Sequence, residues 1–185
     1  MSDTVKQFPT TMAERLIELD RARTALLVEL GDGSLDPPPS TEKGKWSIAE
    51  IAYHLYLVET RITALLKKSL GSDKHHERAK EETLHAEWEL TSSRAHDREL
   101  RTNAPQGTIP ENAPRLSETL TMLKKSRTDL LETVSSFSLD ELASISMPHP
   151  IEAIGSLTGA GWLSLIAHHE IRHTRQIRDI KTKIG

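Results

Sequence analysis

Residues 168–173 read HHEIRH, and within them His169, Glu170 and His173 spell His-Glu-x-x-His. On a helix, His169 and His173 are four residues apart on one face, so both imidazoles can reach a single metal ion. Zinc peptidases share this spelling and use the glutamate as general base on the metal-bound water. Such a peptidase takes its third ligand from chain beyond the motif. Only TRQIRDIKTKIG follows His173; it holds no histidine or glutamate, and its one carboxylate, Asp179, lies on the same helix and too far along it. The peptidase reading is set aside for want of a ligand.

The remaining candidate ligand lies upstream. His54 sits on the inward stripe of another long helix, and if the two helices are neighbours, His54, His169 and His173 converge as a three-histidine facial set. Further coordination positions would be left to water or substrate, the layout of a catalytic rather than a structural site. A di-iron bundle would want Glu-x-x-His on two helices. Glu170 and His173 supply one such pair, but Glu50 and His54 are four apart instead of three, so one metal is expected rather than two. The competing reading is a purely structural cluster, in which every buried imidazole needs a partner for its N–H.

Four amphipathic stretches must position these groups. The first runs from about Thr11 to Leu30, opened by a Thr11/Glu14 capping box, with Leu16, Leu19, Leu26, Leu27 and Leu30 on its stripe and GDGSLDPPPS as its stop. The second starts at KWSIAE, with Ser47 and Glu50 as capping box, Trp46 as staple, Ile51, His54, Leu55, Val58, Ile62 and Leu65 facing inward, and Gly71 as stop. Glu59 is placed at the surface. Residues 72–111 have weak periodicity and high charge, and predict a long connection with one short helix, ending in NAPQGTIPENAP and roofing the site. The third helix spans about Leu116 to Phe137, with Leu116, Leu120, Leu123, Leu130, Leu131 and Val134 apolar. A Pro/Gly-bearing connector with one helical turn at Leu139–Ala143 precedes the fourth helix, Thr158 to Thr182, whose stripe is Leu163, Ile166, His169 or Glu170, His173, Ile177 and Ile180. Its basic run of Arg172, Arg175, Arg178 and Lys181 complements the helix dipole and reads as a solvated face. No strand is expected. The fold class is all-α: a four-helix bundle with a long connection between the second and third helices, residues 1–185 forming a single domain.

Composition agrees with this. Of 185 residues, 36% are hydrophobic, 28% charged and only 4% aromatic, which suits a helical domain better than a β-sandwich. A net charge of −3 offers no general attraction to phosphate backbones, so no nucleic-acid partner is expected. No apolar run approaches a membrane span, and MSDTVKQFPTT has no targeting character, so a cytoplasmic location is expected. There is no cysteine among the residues and there are nine histidines, so any metal site must be built from His, Asp and Glu.

KWSIAEIAYHLYLVE and HPIEAIGSLTGAGWLSLIAHHEIRHTRQI together resemble the DinB-like (YfiT-like) superfamily of metal-binding four-helix bundles. The resemblance lies in one histidine on the second helix, His54, and in an H-x-x-x-H-x-x-Q-I pattern on the last, His169, His173, Gln176 and Ile177. The lead-in of His149, Pro150, Gly155, Leu157, Thr158, Trp162 and Leu163 matches too. It implies His54, His169 and His173 as ligands of one divalent metal (Zn, Ni, Mn or Fe), with His168, one step off that face, at the surface or in an outer shell. Glu170 is then a candidate water-positioning catalytic group. Gln176 becomes the candidate that orients His173 or a bound ligand, and His149 a structural residue near the mouth. Members of the family carry out metal-assisted S-transfer or isomerisation with a small thiol cofactor. The resemblance therefore implies an S-transferase or isomerase acting on a small-molecule substrate, and a homodimer. The same open metal could activate water in a hydrolase, and a non-catalytic metal-binding or stress-response module is the third alternative.

Overall fold

The computed structural model describes residues 7–33, 45–72, 77–97 and 103–184. The triple proline at 37–39, expected to help stop the first helix, lies outside them. In chain order the elements are α1 (Met12–Leu30), α2 (Ile48–Leu70), α3 (Glu81–His96), α4 (Leu116–Val134), α5 (Leu139–Ala143), β1 (Ser146–Pro148), β2 (Ser156–Thr158) and α6 (Gly159–Ile184). Helices α1, α2, α4 and α6 form the expected bundle: α1 packs on α6, α2 on α4, and α2 also touches α6.

The helix starts follow from side-chain chemistry. Thr11 Oγ1 accepts the Glu14 N–H at 3.2 Å while Glu14 accepts the Thr11 N–H at 3.0 Å, and Ser47 with Glu50 repeats the box at the start of α2. Gly31, at φ +66°, closes α1 in a region that favours glycine, its N–H donating to the Leu27 carbonyl. At the head of α6, Thr158 Oγ1 accepts the Gly161 N–H at 3.0 Å, and Glu87 from α3 accepts the Thr158 N–H at 2.8 Å. A Cβ at Gly161 would lie 2.3 Å from a Glu87 carboxylate oxygen, so any larger residue there must displace the Glu87 side chain.

Several expectations need correction. The helix in residues 72–111 is not short: α3 has 16 residues and packs along α6. Its buried positions are Leu84, Glu87, Trp88, Thr91, Ser92 and Ala95, which have the helical spacing but are half polar, so hydrophobic periodicity is weak. A two-stranded antiparallel hairpin, Met147 opposite Leu157, occupies the connector in which no strand was expected; three residues per strand are too few to show alternation. Leu65, expected inward, is 40% exposed, and Leu131, one of the apolar residues of the third helix, is 38% exposed. The third helix ends at Val134 rather than Phe137.

The core divides into two apolar clusters. One gathers Leu19, Ala22, Ile62, Leu66, Leu130, Val134, Leu163 and Ile166; the other gathers Leu26, Leu30, Ile51, Leu55, Leu116, Leu120, Leu123 and Ile177. Between them along each bundle helix falls a buried polar residue: Arg23 on α1, Glu59 on α2, Ser126 and Arg127 on α4, and Glu170 on α6. Glu59, expected at the surface, is 1% exposed.

Candidate metal centre

Helix α2 presents His54 and helix α6 presents His169 and His173 to one point. His169 Nε2 lies 3.3 Å from His54 Nε2 and 3.1 Å from His173 Nε2. One ligand atom from each of the three histidines falls in a group no more than 4.8 Å across. Two nitrogens bound to one tetrahedral ion at about 2.0–2.1 Å are about 3.3 Å apart, so the spacings of His169 to His54 and to His173 fit a single metal.

The outer hydrogen bonds decide where the lone pairs point. His54 Nδ1 lies 2.6 Å from the Thr108 carbonyl oxygen and His173 Nδ1 lies 2.9 Å from Gln176 Oε1. The Thr108 carbonyl oxygen only accepts, so His54 Nδ1 carries the proton and donates, which leaves its Nε2 lone pair directed inward; with the Gln176 amide oxygen turned toward it, His173 does the same. A cation between them relieves the repulsion of converging lone pairs, as does, in its absence, a His169 Nε2–H donating to one of the two. His54 and His173 are buried and His169 is half-buried, which leaves His169 as the more open side of the centre.

All three imidazoles are held neutral. Burial lowers the pKa of His54, opposed by its bond to Thr108. Burial, then the neighbouring His173 and His54, pushes His169 well below the ordinary range. Burial, then His54, brings His173 down to about 3, although Gln176 acts the other way. An unfolded chain protonates its histidines near about pH 6.5, whereas the folded one resists. The unfolded state therefore binds more protons in the window from about 6.5 down to the folded values, and stability, fully present above that window, is lost as pH falls through it. The metal-free protein is expected to show a lower urea midpoint at about pH 5 than at about pH 7.5. Equal midpoints would mean the histidines are not buried as neutral rings.

The other expected site residues are placed differently. His168 is not at the surface: it is 2% exposed, with Nδ1 2.8 Å from Thr91 Oγ1 and Nε2 3.3 Å from Glu18 Oε1, joining α6 to α3 and α1. His149 stacks on Trp162 at 5.2 Å between centroids, and its Nδ1 accepts the Ile151 N–H at 3.0 Å. Arg172 is half-buried instead of solvated, and donates to the carbonyls of Arg94 and Asp97. Of the segment expected to roof the site, Thr108 does reach it, through the carbonyl that orients His54.

Glu170 is buried, and its bonds run to arginines rather than to the histidines. Its Oε1 accepts from Arg23 Nε at 2.9 Å and from Arg127 Nη2 at 2.9 Å. Burial pushes its carboxyl up, opposed by the same two arginines. Burial also raises Glu59, but Arg23 and Arg127 outweigh it and hold that carboxyl below the usual range. The sequence does carry a signal for this cluster. Arg23 lies on the stripe of Leu19, Ala22 and Leu26, and Arg127 lies between Leu123 and Leu130.

Comparison with known proteins shows the family and the fold. A sequence model described as the DinB superfamily matches residues 15–177. A Bacillus subtilis (strain 168) protein described as "Uncharacterized protein YuaE" is 30% identical over 159 residues, covering 84% of this chain and 88% of that protein. A crystal structure described as TT2238, a four-helix bundle protein, superposes with a TM-score of 0.53 at 24% identity, covering 90% of this chain and 96% of the other; it speaks for the fold. Among the described residues, no helix is long and apolar enough to cross a membrane.

Proposed function

The chain belongs to the DinB superfamily, and from that premise we propose that His54, His169 and His173 hold one divalent metal ion for chemistry on a small thiol adduct. The observation that carries the reading is the inward convergence of three Nε2 atoms, two of them with Nδ1 tied to an acceptor. When bound, a divalent ion with an open position supplies the Lewis acidity that keeps a thiol as thiolate or a water as hydroxide. The protein supplies the rest. Thr108 and Gln176 fix the tautomers of His54 and His173, and burial keeps the rings unprotonated and so available as ligands near neutral pH. The chain has no cysteine, so a thiol at the centre must come from a small molecule.

S-transfer or isomerisation with such a thiol is the leading reading, metal-dependent hydrolysis the second, and a binding module without turnover the third. Elemental analysis of untagged protein should find about one equivalent of metal (Zn, Ni, Mn or Fe), since three imidazoles form one site. Metal-loaded protein would then be assayed with electrophiles, with and without small thiols. Turnover only with thiol supports the first reading, and thiol-independent hydrolysis the second. Metal without turnover leaves the binding module, and no metal even after reconstitution ends the proposal.

Gln176 gives a sharper check on the outer shell. Gln176→Leu is expected to raise the Zn²⁺ dissociation constant about 10–100-fold, measured by competition with a chromophoric chelator, because His173 loses the acceptor that sets its tautomer. An unchanged constant would make Gln176 a packing residue only.

A further inference from the structure

The buried charges between the two halves of the core join the same two helices that carry the histidines. Glu59 follows His54 by five residues on α2, and Glu170 stands one residue after His169 and three before His173 on α6. At about 1.5 Å per residue, each carboxylate is anchored within about 8 Å, along its own helix axis, of the candidate ligands on that helix. Resting on the metal-centre reading above, we propose that Arg23, Glu59, Arg127 and Glu170 form a clamp that sets the spacing and register of α2 against α6, and are positioning residues for the metal centre.

Each arginine spans both carboxylates. Arg23 Nη2 donates to Glu59 Oε2 at 2.8 Å and, with Nε, to Glu170 Oε1. Arg127 donates from Nε to Glu59 Oε1 at 2.7 Å and from Nη2 to Glu170 Oε1 at 2.9 Å. The arginines are themselves fixed crosswise: Arg23, on α1, donates to the Leu123 carbonyl of α4, while Arg127, on α4, donates to the Leu19 carbonyl of α1 at 2.8 Å. Ser126 completes the set by donating to Glu59. All four bundle helices thus meet in one hydrogen-bonded layer. Apolar layers tolerate small slips between helices, but forked guanidinium–carboxylate bonds are directional and break when their helices slide. A buried ion cluster adds little net stability over an apolar core of the same volume, so what it contributes is geometry. A metal centre needs that geometry, because its ligand distances must hold to within about 0.2 Å.

The test separates position from stability. One variant is Arg127→Met. The second replaces the layer as a whole, Arg23→Met/Arg127→Met/Glu59→Met/Glu170→Leu, leaving no unpaired charge if the single change fails to fold. Zn²⁺ affinity is measured by chelator competition and corrected for the folded fraction, with the visible spectrum of the Co²⁺-loaded protein alongside. The clamp predicts a Zn²⁺ dissociation constant raised by about tenfold or more and a changed Co²⁺ spectrum, even where the melting temperature is preserved. In the unaltered protein, reciprocity requires Zn²⁺ to slow solvent exchange of the Arg23 and Arg127 guanidinium protons. Affinity within about threefold of the parent in any folded variant, or exchange indifferent to Zn²⁺, would overturn the clamp while leaving the metal site standing. Failure of the unaltered protein to bind Zn²⁺ would instead remove the reading on which it rests.

Discussion

A His54→Ala protein is expected to emerge from purification without its metal, while the parent carries close to one equivalent. His54 is the only one of the three converging histidines on α2; the other two lie four residues apart on α6. Removing it leaves two ligands on one helix and withdraws the ring that Thr108 orients. The loss should exceed the 10–100-fold typical of an outer-shell partner, so the dissociation constant is expected to rise by more than about 100-fold. Elemental analysis and chelator competition both report it. Fold should survive, because the alanine removes a ring that is itself costly to bury neutral and unmetallated. Metal retained at parental affinity in the variant would revive the His-Glu-x-x-His reading, with a third ligand from elsewhere.

Glu59→Ala should produce the largest change in stability. Glu59 accepts from Arg23, Ser126 and Arg127, and both arginines are buried. Its loss leaves two guanidiniums facing the single carboxylate of Glu170, whose Oε2 is buried without a hydrogen-bond partner. Removing one member of a buried ion cluster costs about 3–5 kcal/mol, a large share of the about 5–15 kcal/mol that keeps a domain folded. Urea unfolding of the metal-free protein measures it. Asp129→Ala is the control: its pair with Lys125 is exposed, and should be worth less than about 1 kcal/mol. Similar small effects for both would mean that water reaches the Glu59 cluster.

The limits of sequence reading are seen in particular residues. Thr11, Ser47 and their glutamates could be recognised at sight as helix starts, because a capping box is a local device whose partners lie three residues apart. The full length of helix α3 is hidden in the sequence because residues it buries, Glu87 and Thr91 among them, are polar and are satisfied by partners from other elements. Thr108 escaped because it acts through its backbone carbonyl, which is common to every residue type.

The sequence by itself determined the bundle, the pairing of His169 with His173 and the inward placing of His54, since helical period and stripe membership depend on neighbours within a few turns. Only the tertiary structure decided that Glu59, His168 and the arginines are interior, and which way each imidazole presents its lone pair. Those outcomes depend on partners from other helices: a charge is tolerated in a core only where groups distant in the chain arrive to neutralise it, and a ring's tautomer is set by whichever acceptor folding brings to its other nitrogen.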